Sequence, residues 1–414
     1  MTERSVLLPI AATERIAVLD VLRGFALLGI LLMNIEGFVG PLDLAVTGVD
    51  PHWHGLDRVV DALTYVFVQG KFYTLFSLLF GMGFAVMAQR AQQARRPFLG
   101  MYLRRSAGLL VIGLAHAVLL WSGDVLVTYA LLALLLLATR SVPTATLPWF
   151  AVFVYLCAPG LILLYGAVGA LAQADSAAAA EWNVAMREVA QQAVANVQAQ
   201  RSALGSGTYV QATVQRWHDL REALSALTIN GPAMLGMFLL GGWFVRSGAI
   251  AAPERFVRLF GWLRYGVLPL GLALMLVSYR LEPWMDPARL DLRLSLAFAL
   301  ALLGGAMMCL GYAAWVMRFA AQLRWLAPAG RMALSNYLLQ SLLCTSIFYG
   351  YGLGYFEQLP RAWQPPFALL VFAVQVALSH LWLRWFRFGP VEWLWRCVTY
   401  LQMPPLRRHA GAAG

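Results

Sequence analysis

Six histidines are spread over 414 residues, and two stand almost side by side in GVDPHWHGLDRVVDALTY, at His52 and His54, with Asp50, Asp57 and Asp61 nearby. Imidazole is the side chain best matched to proton transfer near neutral pH, and a nearby carboxylate can hold its ring. The pair reads either as a source of a general base or as part of a solvated loop. HxH beside scattered Asp is a loose pattern for a metal, so none is expected. A third histidine, His116, precedes Asp124 and Tyr129 in GLAHAVLLWSGDVLVTYALL.

Other polar residues interrupt long apolar runs. The run RIAVLDVLRGFALLGILLMNIEGF places Asp20 and Arg23 three apart, on one helical face and close enough to pair. Asn34 and Glu36 lie farther along the same run, about 20 Å away at 1.5 Å per residue. Lys71, in VQGKFYTLFSLLFGMGF, is the single lysine beside 30 arginines, which suggests that its compact ammonium is needed there. The alternative is an ion-paired structural lysine. Gly70, Gly81 and Gly83 of this stretch read as points of close helix packing. In GRMALSNYLLQS, Ser335, Asn336, Gln340 and Ser341 put several polar groups on one helical stripe, for binding or for hydrogen bonds between helices.

The elements that must carry these residues are transmembrane helices. The chain is 60% hydrophobic and 12% charged, against about 25% charged in soluble domains. Its apolar runs recur at lengths of ~20 residues, enough to cross ~30 Å of hydrocarbon. This excludes a soluble enzyme and a disordered chain, and the periodicity lacks a barrel's alternation. The fold class is an all-α polytopic bundle of about ten spans, at 17–39, 60–88, 103–121, 125–139, 147–170, 231–247, 261–279, 293–317, 332–351 and 367–386. Loops on one side hold 20 arginines and those opposite hold 9, with 15 of 20 acids on or near the second side. That asymmetry predicts both termini in the cytoplasm and explains the net charge of +11 without nucleic acid.

Residues 1–170 form one five-helix half and 231–403 the other, with a cytoplasmic tail over 404–414. Between the halves, 171–230 reads as an extracytoplasmic helical insert broken at Gly205, Ser206 and Gly207, either a spacer or a cap over a binding site. No internal repeat is evident, which weighs against many transporter folds. The segment FGPVEWLWRCVTYLQMPPLRR reads as an interfacial helix anchored by Trp393 and Trp395. His380 reads as an interface or capped histidine. Cys157, Cys309, Cys344 and Cys397 form no CxxC pair and read as small buried hydrophobes.

The stretches RIAVLDVLRGFALLGILLMNI, GKFYTLFSLLFGMGF, HAVLLWSGDVLVTYALL, GRMALSNYLLQS and FGPVEWLWRCVTY resemble, in matching order over 14–403, the YeiB-like bacterial inner-membrane family with domain of unknown function 418. The chemistry of that family is open, and transport is the role usually suggested for it. More distantly, Asp20, Arg23 and Gly24 resemble the DxxRG start of the transmembrane acyltransferases, including acyltransferase family 3 and the heparan-glucosaminide N-acetyltransferase. There the loop after the first helix carries a catalytic histidine in an H-x-P-W-x-G-L-like stretch. Here Asp50 occupies that position, and His52 and His54 flank Trp53 instead.

The resemblance implies acyl transfer across a membrane. Acyl-CoA would be the cytoplasmic co-substrate, bound near Asp20 and Arg23, with no tightly held cofactor. An extracytoplasmic hydroxyl or amine would accept the acyl group. His52, His54 or His116 would act as base, with His52 preferred and Asp50, Asp57, Asp124 or Glu36 orienting the ring. Lys71 or an Asn would stabilise the oxyanion. His116, Lys71, Asn34, Glu36 and Asp124 fall at similar depth and are expected to share a cavity, with Tyr129, Asn336 and Gln340 as further binding residues. The alternatives are a transporter or exporter of a small solute, with Asp20, Lys71 and Asp124 as ion-coupled sites, and a membrane scaffold. A second copy of the chain remains open as a partner.

Overall fold

The computed structural model describes residues 17–408 except 287, 288 and 290, so both chain ends lie outside the described residues. Among the described residues seventeen α-helices follow one another. The first membrane group is α1 (Ala17–Val39), α2 (Leu42–Ala45), α3 (Gly55–Phe67), α4 (Lys71–Gln93), α5 (Leu99–Leu119), α6 (Leu126–Ala138) and α7 (Leu147–Ala172). Next come α8 (Ser176–Gln200) and α9 (Tyr209–Ser225). The rest are α10 (Leu227–Arg246), α11 (Val257–Trp262), α12 (Leu268–Leu281), α13 (Leu292–Arg318), α14 (Ala327–Arg331), α15 (Ala333–Phe348), α16 (Gln364–Trp385) and α17 (Pro390–Tyr400). Among the described residues there is no strand, only two isolated bridges.

Among the described residues eight helical stretches are long and apolar enough to cross a membrane, and α6 and α15 are shorter apolar helices. At 13 residues α6 covers only about 20 Å, less than the hydrocarbon thickness. The expected second span is interrupted between α3 and α4, where Gly70 adopts φ +83°, a conformation that favours glycine. The ninth is a single helix, α15, starting at Ala333 just after the short α14.

The first span is the central post of the bundle. Most of α1 is buried, and it contacts α4, α13, α14, α15 and α16. Glycines set its closest approach: a Cβ at Gly330 would stand 1.9 Å from the Asp20 carbonyl oxygen. Likewise α4 and α10 touch backbone to backbone, since a Cβ at Gly81 would fall 1.8 Å from the Phe238 oxygen. Gly83, expected to do the same, has open space beside it and lines a cavity instead. Of the cysteines, all free, Cys309 and Cys344 are buried while Cys157 and Cys397 are only half-buried.

Candidate functional site

The hairpin of α5 and α6 brings His116 and Asp124 together, and α15 supplies a third member. His116 Nδ1 lies 2.6 Å from Asp124 Oδ2, and Nε2 lies 2.8 Å from Ser341 Oγ. His116 is 1% exposed and the Asp124 side chain 0%. The other Asp124 oxygen accepts the Val127 amide at 2.8 Å, capping the first turn of α6. In a neutral ring beside an ionised carboxylate, which can only accept, Nδ1 carries the proton and Nε2 is left to accept from Ser341. The result is an aspartate–histidine–serine chain held in a dry setting by Trp121 and by Tyr337, whose ring lies 5.0 Å from the imidazole.

A cavity of 220 Å³ leads towards this chain from the arginine-rich end of the bundle. At its mouth stand Asp20, Arg23, Arg105, Arg331, Glu392 and Arg396. Its middle is apolar, walled by Ile30, Phe76, Leu79, Phe80 and Leu109. It ends at Val125, Tyr129 and Tyr337, the neighbours of Asp124 and His116. Arg23 pairs with Asp20 at 3.0 Å, and Arg105 lies 3.7 Å from the ring centre of Trp395.

Glu392 accepts the amides of Leu334 and Ser335 and the Ser335 hydroxyl, satisfying the first turn of α15 from the facing helix α17. Burial pushes its carboxyl upward, against those hydrogen bonds. Trp395, expected as a lipid anchor, instead points inward and donates to the Arg105 carbonyl, while Trp393 donates to that of Pro404.

A second cavity, of 270 Å³, lies at the opposite end. Asn34, Leu42, Gln69, Tyr73, Asn230 and Met275 are among its lining residues. The two spaces come together at Tyr129 and Tyr73. Tyr129, on the first, donates to the carbonyl of Tyr73, on the second, at 2.8 Å, and its hydroxyl also meets Ser77.

The remaining candidates fall elsewhere. His52 is held by Asp50 at 2.7 Å, yet its side chain is 86% exposed, and His54 is exposed at the start of α3. Glu36 is engaged by Arg361, which also holds Asp61; the distances are 3.0 and 2.8 Å and the arginine is 1% exposed. Lys71 gives its ammonium to the Tyr65 carbonyl at 2.8 Å and approaches Met275 Sδ. It thereby closes the end of α3, whose Thr64 carbonyl takes the next two amides. Asn336 donates to Ser379 and Gln340 to Gln375, joining α15 to α16 without lining either cavity. The five residues expected in one cavity thus divide among four surroundings. His380 meets the Trp325 carbonyl at 3.0 Å.

Two of these partners were not singled out from sequence. Arg361 counted only as a loop charge, although it is the one arginine between the last two predicted spans. Glu392 sits 57 and 58 residues from the amides it caps, beyond any local spacing.

The insert closes the far end. Its two helices are separated by a wide turn over Arg201–Ser206 and by Gly207, and Thr208 starts α9 with a capping box to Gln211. Arg216, fully buried, donates to the Leu119 carbonyl at the end of α5 and to Tyr351, amid the rings of Tyr209, Tyr349 and Tyr351. Asp219 accepts from Ser122, two residues before Asp124, and from Gln200 and Gln215. The segment therefore covers the hairpin that carries His116 and Asp124.

No solved structure matches the chain. Residues 244–402 match the family described as a protein of unknown function, DUF418. The uncharacterized protein YxaH of Bacillus subtilis (strain 168) is 34% identical, over 98% of this chain and 99% of its own length. The uncharacterized protein YeiB of Escherichia coli (strain K12) is 32% identical over 93% of this chain and 96% of its own. With two relatives matching end to end, the chain is a multi-pass, all-helical member of the YeiB-like DUF418 family.

Proposed function

We propose that the protein moves an acyl group from a cytoplasmic acyl-CoA to a hydroxyl or amine acceptor on the other side of the bacterial inner membrane, with both termini in the cytoplasm. One observation carries this reading: a cavity with an arginine mouth and apolar walls ends beneath a buried histidine–aspartate pair. Arg23, Arg105, Arg331 and Arg396 suit the phosphates of CoA. The apolar middle suits a pantetheine arm and a short acyl chain. His116, with its tautomer fixed by Asp124, replaces His52 as the preferred base, because a proton acceptor in a dry site acts on a bound reactant rather than on water. The acceptor would enter through the second cavity, whose wall meets the first at Tyr73 and Tyr129. Lys71 and Tyr129 are both committed to backbone carbonyls, which leaves the oxyanion to the hydroxyl of Tyr337, whose contact with the Gly123 carbonyl is long at 3.5 Å.

The test uses the full chain in lipid nanodiscs with labelled acetyl-CoA. Binding should be measurable, and His116→Asn should keep it while slowing CoA release about 10²–10⁴-fold. Arg105→Gln should weaken binding instead. No CoA binding and no release with any acceptor would defeat the reading. Solute transport is favoured by the broken helix at Gly70 and by two cavities opening at opposite ends. Uptake into proteoliposomes without CoA would select it.

A further inference from the structure

The hydroxyl of Ser341 is not spent on its own helix. A serine inside a helix ordinarily turns its hydroxyl back to the carbonyl four residues earlier. Ser77, Ser202 and Ser346 do so at 2.9, 2.6 and 2.7 Å. Ser341 lies 3.4 Å from the Tyr337 carbonyl, too long for a good bond, and 2.8 Å from His116 Nε2. Its proton is therefore directed to the imidazole. Behind the imidazole, Asp124 fixes the opposite nitrogen at 2.6 Å. A hydroxyl, an acceptor nitrogen and a buried orienting carboxylate in series are the parts of an activated nucleophile.

We propose that Ser341 is a covalent nucleophile that takes the acyl group before the acceptor does. The inference rests on the acyl-transfer reading and deepens it. Tyr337 lines the donor cavity one turn before Ser341 on the same helix, so a swing of its ring opens the cavity to the hydroxyl. Ser341 Oγ attacks the thioester carbonyl carbon, and its proton passes to His116 Nε2. The C–S bond breaks and CoA leaves as the thiol with that proton. The acceptor then gives its proton to His116 and attacks the serine ester. The C–Oγ bond breaks, and Oγ recovers the proton. The donor can leave before the acceptor arrives, so the two cavities never need to be open to each other.

Two measurements on the full chain test this. Incubation with acetyl-CoA and no acceptor should release CoA in proportion to the protein and leave an acetyl group on the peptide spanning 333–348. Ser341→Ala should lose both while still binding CoA. Ser341→Cys should form an adduct that neutral hydroxylamine removes, whereas the serine ester resists it. An alkyl fluorophosphonate, which needs no acyl donor, should label Ser341 in the native chain, but not in Ser341→Ala or His116→Asn. Transfer at the native rate by Ser341→Ala would overturn the nucleophile and leave acyl transfer standing. Absence of both adduct and fluorophosphonate labelling would also overturn it. Labelling of Ser341 in a chain that binds no CoA would uphold the nucleophile and overturn the donor.

Discussion

Arg361 ties three helices together near the insert. It is 1% exposed and binds Glu36 of the central helix, Asp61 of α3 and Gln364 of α16. Asp61 in turn accepts the Asp50 amide, so the His52 loop hangs on the same arginine. Removing the cation leaves two largely buried carboxylates uncompensated, a situation that costs about 3–5 kcal/mol. Arg361→Met should therefore lower the thermal unfolding midpoint in detergent markedly, and adding Glu36→Gln should restore part of it. An unchanged midpoint in the single variant would show that water takes over the arginine's role. The same network explains why Glu36 was misread beside His116. Residue count along a helix fixes position along its axis, and the expectation of similar depth for His116, Asp124, Lys71, Asn34 and Glu36 rests on that count alone. The count does not fix which neighbour each face meets, because rotation about the helix axis is settled by packing. Asp124 was legible as a partner of His116 since only eight residues separate them; Ser341, 225 residues away, was legible only as a polar residue on a stripe.

Close helix contacts decide where the donor cavity has walls and where it has space. The start of α1 is pinned against the 326–330 segment by a glycine from each, because a Cβ at Gly24 would stand 2.3 Å from the Leu326 oxygen and one at Gly330 would stand 1.9 Å from the Asp20 oxygen. Neither backbone can retreat without moving Asp20 and Arg23 at the cavity mouth. Gly330→Ala should thus overpack this contact and cost about 1–3 kcal/mol. Gly83→Ala is the control, since nothing lies within 4 Å of its Cβ position. It should be neutral or stabilising by up to about 1 kcal/mol, as alanine favours helix. Thermal unfolding of the two variants checks the contrast, and equal effects would refute this view of α1. The spans themselves were readable from hydropathy within a few residues. The interruption of the second was not, because the break after Val68 is closed by Lys71, whose side chain reaches back six residues to the Tyr65 carbonyl, a cap that no apolar window registers.

At the scale of the whole molecule, the insert and the membrane bundle are joined through a polar seam whose strength depends on pH. Asp219 accepts from Ser122, Gln200 and Gln215, and no cation is among those partners. Burial raises its carboxyl above the ordinary 3.8, and those hydrogen bonds only partly offset the shift. Glu222 is raised as well, by burial and by the charges of Asp43 and Asp219. Both acids bind their proton more tightly when the insert is docked than when it is free in water. Docking is therefore strongest below the free-carboxyl value, weakens as pH climbs through the raised values, and is flat above them. Hydrogen exchange of 209–225, corrected for its intrinsic pH dependence, should show more protection near pH 4 than near pH 7. Asp219→Asn should shrink that difference, and Asp219→Asn with Glu222→Gln should abolish it. Ser122 lies two residues before Asp124, so loosening this seam frees the hairpin that orients His116. The acceptor side would then open more readily at neutral pH than in acid, and acyl transfer should fall on acidification in the native chain but less so in the double variant. Protection that is independent of pH in the native chain would sever this link between the insert and the site it covers.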